Sequence, residues 1–406
     1  MPSHPQDSIV HPAVVVGAGH FGLAIAHALQ RRGPSVPVID AAGRVAASWR
    51  RRHPQLRLNT HRLLSSLPGL PMPRSAGAFP ARDDVIAYLE AYERRLERPV
   101  RYDTAVERID PADGHWRLIT SAGPVRAREV IVATGRERVP FVPDWPGRDT
   151  WTGELVTADA LGDTARYRGR RVLVVGCGTS GADVLNHLAG IDTTALWVAV
   201  RHGPAVLPTW LGPLPLQLTA PLMAPMPLRV ADLSLRLTER LAVGDLRRHG
   251  LPRHPDGAAT RLARDGVGPA FDAGFVAALK QRRIHVVPPV AGFRGRYVEL
   301  AGGQPLEPDV VICATGYRPG LERMVGHLDV LDGRGIPRIL DAAGRSPRAG
   351  LRFAGMTPRL IGQFPAARRE ARAIARALGR GPRKAAHPVP AIPAESAGGT
   401  AHATRG

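Results

Sequence analysis

Short runs of apolar and β-branched residues alternate along the chain with segments of helical periodicity. The runs read AVVVG, VPVID, REVIVATG, RRVLVVG, LWVAV, PDVVICATG and LRFAG. Continuous apolar runs of this length are typical of strands that helices cover on both faces. The pattern therefore predicts an α/β fold with parallel sheets. Stretches of hairpin character before REVIVATG and PDVVICATG add small antiparallel ribbons to it.

A glycine-rich turn follows the first run and opens a helix, with Gly17, Gly19 and Gly22 in GxGxxG spacing. The first glycine permits the tight turn, the second lets the backbone approach a pyrophosphate, and the third lets helix and strand pack closely. His20 stands in this turn as a possible further donor. The next strand ends in Asp40, whose carboxylate accepts ribose hydroxyls and repels a 2′-phosphate. We expect FAD or NAD here, and not NADP.

A second turn repeats this arrangement with Gly176, Gly178 and Gly181, and Ser180 lies between the last two glycines. The strand that follows ends in Arg201 where the first turn has an acid. A guanidinium pairs with phosphate in a bidentate fork, so the arginine favours the 2′-phosphate of NADPH. The alternative is a solvated strand-end arginine in an arginine-rich protein. We predict FAD at the first turn and NADPH at the second.

The strands VIVATG and VICATG repeat each other as well, and they end near Gly135 and Gly316. The simplest account is that the chain leaves a first Rossmann-like unit near Gly135, forms a second one, and returns near Gly316. We predict a discontinuous FAD-binding domain over residues 10–165 and 308–379, and an NADPH-binding domain over 166–307. This arrangement places the nicotinamide beside the flavin.

The second domain contains a proline-rich insertion over residues 203–270. Its part 203–228 has no charged side chain and is long enough to cross a bilayer, but seven prolines interrupt it. Such proline density argues against a transmembrane helix. One interpretation is an insertion that packs over the core and lines a substrate channel; the other is weak contact with a membrane surface through 203–246. The termini 1–9 and 380–406 have little to bury, so we expect them to be disordered.

The formal charge of +20 over 406 residues raises the question of a nucleic-acid partner. Lys280 and Lys384 are the only lysines, and the arginines are scattered in short groups. We therefore expect anionic cofactors and substrates, and no nucleic acid. The cysteines Cys177 and Cys313 have neither a paired spacing nor neighbouring histidines, so we expect no disulfide framework and no metal site.

The beginning of the chain lacks a basic start followed by an apolar core, so we expect no secretory signal and a cytoplasmic location. The sequence leaves the oligomeric state open.

These elements occur in one order with AASWR, FPARDDVIAYLEAY, VAVRHGPAVLP and LRFAGMTPRLIGQFPAARREA. From about Val14 to Leu378 the chain resembles the flavin-containing monooxygenases, and most closely their indole-3-pyruvate monooxygenase branch. The resemblance implies that NADPH reduces FAD and that the reduced flavin adds dioxygen at C4a. The resulting (hydro)peroxide gives one oxygen to a small organic substrate, and the other leaves as water.

The resemblance also assigns residues. It implies that Trp49 lies in a segment that contacts FAD, that the backbone of Val106 contacts the adenine, and that Gly135 and Gly355 border the cofactor. It places Asn59 near the reactive edge of the flavin ring, where we predict a catalytic role. The alternative for Asn59 is an asparagine that caps a turn.

The chain departs from the family at its identifying motif, FxGxxxHxxx followed by Tyr or Phe. Trp151 and Gly153 fit the motif, but Thr157 stands in place of the histidine and Leu161 in place of the aromatic residue. This departure sustains an alternative function: an FAD- and NADPH-dependent reductase or NADPH oxidase that inserts no oxygen. A third hypothesis is a non-catalytic nucleotide-binding module.

Overall fold

The computed structural model describes residues 9–33 and 35–379. The strands, in chain order, are β1 Val10–Val16, β2 Val38–Ile39, β3 Val106–Ala112, β4 His115–Thr120, β5 Val125–Val132, β6 Val139–Pro140, β7 Glu154–Thr157, β8 Arg171–Val175, β9 Ala195–Ala199, β10 Val206–Pro208, β11 Trp210–Leu211, β12 Leu214–Pro215, β13 Ala270–Asp272, β14 His285–Val287, β15 Val290–Arg294, β16 Tyr297–Leu300, β17 Pro305–Leu306, β18 Val310–Cys313, β19 Tyr317–Arg318 and β20 Leu351–Phe353.

The α-helices are α1 His20–Gln30, α2 Ala47–Arg50, α3 Arg82–Glu93, α4 Thr179–Leu188, α5 Ala220–Met223, α6 Leu228–Ala242, α7 Ala258–Asp265, α8 Phe275–Lys280, α9 Glu322–Val325 and α10 Gln363–Leu378. Single 3₁₀ turns occupy Arg62–Leu64, Arg74–Ala76, Arg148–Thr150, Ala158–Ala160, Thr164–Tyr167, Leu216–Thr219, Leu246–His249 and Gly326–Leu328.

The first sheet has the order β2-β1-β5-β4-β3, and β20 pairs with β5 beside β4. Strands β1, β2, β5 and β20 run parallel, whereas β3 and β4 form an antiparallel meander on β5. Helix α1 packs against α10, and its buried side chains Leu23 and Ile25 join Tyr92 of α3 in one core.

The second sheet, β14-β9-β8-β18-β7, is parallel throughout. The predicted α/β fold with parallel sheets is confirmed, since each of the seven apolar runs contains a strand that pairs in parallel. The hairpins are confirmed as β4 with β5 and as β16 with β17.

Two strands correct the predicted domain boundaries. The predicted boundaries at residues 165 and 308 assign the strands 154–157 and 310–313 to the first domain. In the structure both strands lie in the second sheet, where Val156 and Val174 both pair with Ile312. The reason is burial: Val310 to Cys313 are buried on both sides, as a central strand must be. The connections between the sheets lie instead at the antiparallel ribbon of β6 and β19.

The insertion 203–270 folds as short strands and helices, with α6 packed against α7 and β10. In the described part of the chain, no helix combines the length and the apolar character that a membrane span requires. The predicted disorder of the termini falls outside the described residues, apart from exposed Ile9.

Candidate active site

A large cleft, about 2010 Å³ in volume, is lined by both glycine turns. Pockets for drug-sized ligands measure roughly 300–1000 Å³, so this cleft has room for two dinucleotides. Most of the predicted site residues line it: Gly17, Gly19, Asp40, Trp49, Asn59, Val106, Gly135, Gly176, Gly178, Ser180, Arg201 and Gly355. Gly22 and Gly181 do not line it.

The first turn follows β1, and its glycines have separate tasks. Gly17 has a φ of +105°, and a Cβ there would lie 2.6 Å from the carbonyl oxygen of Ala133. A Cβ on Gly22 would overlap the carbonyl oxygen of Gly17, so this glycine allows α1 to pack on the strand. A Cβ on Gly19 would meet no atom of the described residues within 4 Å. Gly19 therefore borders the open space in which a ligand's phosphates would lie.

The second turn, after β8, repeats this geometry. Gly176 has a φ of +97°, and its Cβ would lie 2.6 Å from the carbonyl oxygen of Ala314, while a Cβ on Gly181 would overlap the carbonyl oxygen of Gly176. A Cβ on Gly178 would meet a single described atom within 4 Å, Cγ1 of Val267 at 4.0 Å. The chain thus builds the same glycine-turn backbone twice.

The two turns differ in the charge at the end of the neighbouring strand. The carboxylate of Asp40 accepts the backbone N–H of Ala18 at 2.6 Å and that of Ala42 at 2.8 Å. These bonds fix its orientation and leave lone pairs for ribose hydroxyls. Arg201 is exposed in the cleft, and within the described residues its guanidinium forms no ion pair or hydrogen bond. Its guanidinium is therefore free to pair with an anionic group of a ligand in the cleft.

Unpartnered polar atoms concentrate along the cleft. Six of its lining residues carry a buried side-chain nitrogen or oxygen without a hydrogen-bond partner among the described residues: His20, Thr134, Gln217, Arg261, Arg359 and Gln363. Leaving such atoms unpaired costs about 1–3 kcal/mol each. The cleft therefore presents the donors and acceptors that polar cofactors would satisfy.

His20 is packed between aromatic rings at the start of α1. Its ring centroid lies 4.8 Å from that of Phe21 and 5.1 Å from that of Phe364, with the second pair stacked. Burial lowers the pKa of His20 to about 4, so the ring is neutral at physiological pH. Its unpartnered Nε2 agrees with the expectation that it contributes a donor to the cleft.

Asn59 is half-buried in the cleft lining, and its amide makes no hydrogen bond within the described residues. The 3₁₀ turn that follows is capped by His61, whose Nδ1 accepts the N–H of Leu63 at 3.3 Å. Asn59 therefore does not cap this turn, and its amide is available to a ligand.

The two departures from the family motif lie outside the cleft lining. Leu161 is fully buried in the core of the second sheet, and its carbonyl accepts the hydroxyl of Tyr167 at 2.8 Å. Thr157 ends β7, where it pairs with Cys313. Both substitutions therefore change the packing behind the second turn and not the lining of the cleft.

Both cysteines are buried thiols. Burial raises the pKa of Cys177 and of Cys313 to about 12, so neither forms a thiolate at neutral pH. They form no disulfide. This geometry gives no support to thiol–disulfide chemistry.

The sequence reasoning missed a cluster that the fold assembles at the cleft. His53 Nε2 lies 2.9 Å from Asp183 Oδ2, and His187 Nε2 lies 3.5 Å from Asp183 Oδ1. Burial alone would raise the pKa of Asp183, but the hydrogen bonds from His187 and His53 outweigh it and hold that pKa below its usual value. The i,i+4 spacing of Asp183 and His187 is the only local signal, and it does not identify His53.

Comparisons with known proteins agree with this geometry. Residues 14–204 match the family model described as pyridine nucleotide-disulphide oxidoreductase. The chain is 31% identical over 365 residues to the probable indole-3-pyruvate monooxygenase YUCCA3 of Arabidopsis thaliana. The aligned region covers 86% of this chain and 82% of that protein. Indole-3-pyruvate monooxygenase YUCCA1 of Oryza sativa subsp. japonica is 31% identical, with 87% and 88% covered.

Among solved structures, the flavin-containing monooxygenase from Stenotrophomonas maltophilia superposes with a TM-score of 0.68 at 25% identity, covering 90% of this chain and 97% of that one. The structure of OTEMO in complex with FAD and NADP has a TM-score of 0.68 at 18% identity, covering 91% and 84%, and shares the fold. The chain therefore belongs to the flavin monooxygenases, a family of oxidoreductases whose cofactors are FAD and NADP(H).

Proposed function

We propose that this enzyme binds FAD at the first glycine turn and NADPH at the second, and that it transfers one oxygen atom of O2 to a small organic substrate in the cleft between them. The observation that carries the proposal is the pairing of two equivalent turns with opposite charges. Asp40 stands beside the first and Arg201 beside the second, and both line one cleft.

At the first turn, the backbone around Gly19 and the start of α1 would hold the pyrophosphate, and Asp40 would bind the ribose hydroxyls. Val106, Trp49 and Gly355 line the same cleft and would border the cofactor. When bound, FAD would accept a hydride and activate dioxygen.

At the second turn, the backbone at Gly178 and the hydroxyl of Ser180 would bind the pyrophosphate of NADPH at the start of α4. Arg201 would bind the 2′-phosphate through a charge-assisted hydrogen bond. Gly135 borders the cleft where the chain leaves the first sheet. The protein would thus orient two cofactors in one cleft, which is its part of the chemistry.

Asn59 is the catalytic residue that we propose. Its amide has no partner within the described residues, so it can donate a hydrogen bond to a ligand at no internal cost. The role we assign to it is to hold a reacting oxygen by this hydrogen bond until the substrate accepts it.

Isotope labelling of dioxygen tests the proposed function. The FAD-loaded enzyme would be given NADPH, ¹⁸O2 and a panel of small α-keto acids, ketones and thioethers, including the indole-3-pyruvate that the curated relatives are named for. Incorporation of one ¹⁸O atom into a product supports the monooxygenase. The alternative functions label no product: an NADPH oxidase reduces the oxygen it consumes to hydrogen peroxide with every compound, and a reductase passes the electrons to another acceptor.

We further propose weak contact between the insertion and an anionic membrane surface. Helix α6 buries Ala231 and Leu235 and exposes an apolar stripe of Val230, Leu233, Leu237 and Leu241, of which Leu241 is 86% exposed. The arginines of α6 lie on its solvent-exposed part: Arg229, Arg236 and Arg240. An exposed apolar stripe with arginines nearby matches a lipid surface of negative charge.

Sedimentation with vesicles tests this contact. We expect the enzyme to bind vesicles that contain phosphatidylglycerol and to lose binding in the Leu233→Glu/Leu237→Glu variant and at high salt. Leu340→Glu is the matched control, because Leu340 is 64% exposed outside the insertion. Equal sedimentation of the wild type and the double variant contradicts the proposal. So does the finding that the wild type forms a concentration-dependent dimer and the double variant does not, because the stripe is then a contact between two copies of the chain. A cytoplasmic location stays a prediction, which cell fractionation tests.

A further inference from the structure

Three side chains of metal-ligating type meet at the edge of the cleft. They come from the two halves of the fold, which are the parts of the chain built around the first and the second sheet. His53 follows α2, whereas Asp183 and His187 lie on α4. Their ligand atoms all lie within 4.8 Å of one another. His53 and Asp183 are 130 residues apart in the chain, so only the packing of the two halves brings them together.

The surroundings hold these groups in place. Asp183 and His187 are one helical turn apart, which puts them on one face of α4. His53 is 3% exposed, and its ring lies edge-on to that of His187 with centroids 5.1 Å apart. The backbone beside it is fixed, because Arg82 donates to the carbonyl of Arg52 at 2.9 Å. The cluster is therefore pre-organised and not a chance meeting of mobile surface groups.

The distances suit a small divalent ion. Zinc binds imidazole nitrogen and carboxylate oxygen at about 2.0–2.2 Å, so the ligand atoms of a tetrahedral site lie about 3.3 Å apart. His53 Nε2 lies 2.9 Å from Asp183 Oδ2 and His187 Nε2 lies 3.5 Å from Asp183 Oδ1, so each histidine faces one oxygen of the same carboxylate at about that separation. One ligand atom from each of the three residues lies within 4.8 Å of the others, and a small side-chain shift would bring all three onto one ion. Two imidazoles and one carboxylate are a donor set that zinc and its neighbours in the first transition row accept, with a fourth position left for water.

We propose that His53, Asp183 and His187 bind one divalent transition ion of the zinc class, which ties the segment after α2 to helix α4. The ion bridges the two halves of the fold beside the second glycine turn. This proposal replaces the expectation of no metal site, which considered only the cysteines. Because a bound ion stabilises the folded state alone, it also raises resistance to unfolding.

Calorimetric titration of the tag-free, FAD-loaded enzyme with ZnCl2 after chelator dialysis tests the site. We expect one tight ion per chain and a higher midpoint of thermal unfolding. His53→Gln, Asp183→Asn and His187→Gln should each weaken zinc binding at least ~10-fold and abolish the rise in midpoint. The matched control is His254→Gln. His254 lies beside His202, with 5.3 Å between ring centroids, and its Nδ1 is 3.9 Å from Asp256 Oδ2. These three residues do not form a converging group of the kind that His53, Asp183 and His187 form within the described residues, so the variant should bind zinc as the wild type does.

Crystals soaked in zinc give a second measurement that needs no variant. The anomalous difference map should show a peak between the three side chains. The proposal is overturned if the map has no peak there, or if the His53→Gln and His187→Gln variants bind zinc as tightly as the wild type. In either case, the cluster is a hydrogen-bonded link between the halves and not a metal site.

Discussion

Replacing Arg201 by alanine should weaken the binding of NADPH much more than the binding of NADH. The guanidinium is exposed in the cleft and has no protein partner within the described residues, so its removal breaks no internal contact. A hydrogen bond to a charged group contributes about 1.5–3 kcal/mol, and exposure favours the lower part of that range. Since 1.4 kcal/mol corresponds to about tenfold in an equilibrium constant, the dissociation constant of NADPH should rise roughly 10- to 40-fold.

NADH lacks the 2′-phosphate, so its affinity should change by less than about twofold. The assay is reduction of the bound flavin under anaerobic stopped-flow conditions, with each nucleotide varied in turn. Arg248→Ala is the control, because Arg248 is also exposed but lies outside the cleft, and it reports the general effect of losing one positive charge. Equal losses for NADPH and NADH in Arg201→Ala would refute the assignment of the second turn.

Three further predictions concern residues at and near the first glycine turn. Gly22→Ala should destabilise the protein and abolish FAD binding, because its Cβ would overlap the carbonyl oxygen of Gly17. Gly19→Ala should fold normally and lose FAD affinity, because its Cβ would meet no described atom within 4 Å. Thermal unfolding and flavin content distinguish the two variants, and equal losses of stability would contradict the packing argument. Burial lowers the pKa of His20 from 6.5 to about 4. Between these two values the unfolded chain binds a proton that the folded protein does not, so lowering the pH favours unfolding. The free energy of unfolding of the FAD-free protein should therefore fall by about 2 kcal/mol between pH 7 and pH 5. Denaturant unfolding should show a smaller loss in His20→Phe, and an identical pH profile would disprove the assignment. Asn59→Ala should consume NADPH at a rate near that of the wild type and release more hydrogen peroxide; an unchanged peroxide yield would exclude the role given to Asn59.

The parallel sheets and both glycine turns were predictable because each depends on a short stretch of sequence. Apolar runs specify buried strands, and the spacing of Gly17 and Gly22 reflects steric limits that act within a few residues. The charges that distinguish the turns, at Asp40 and Arg201, follow from the same local unit, since they end the next strand.

The sheet to which a strand belongs was less accessible. Val310 to Cys313 carry an apolar pattern that either sheet could accommodate, and only the pairing with β7 and β8 assigns them to the second. The cluster of His53, Asp183 and His187 was inaccessible for a related reason, because it depends on how the two halves pack. A resemblance to a family also gave no indication that Leu161 belongs to a core and not to the cleft.

The measurement that tests the account most directly is the oxygen balance of the FAD-loaded enzyme with NADPH, ¹⁸O2 and the substrate panel. The account predicts a compound for which each NADPH oxidised yields one ¹⁸O atom in the product and one in water, with little peroxide. Release of one hydrogen peroxide per NADPH with every compound, and no labelled product, would contradict it.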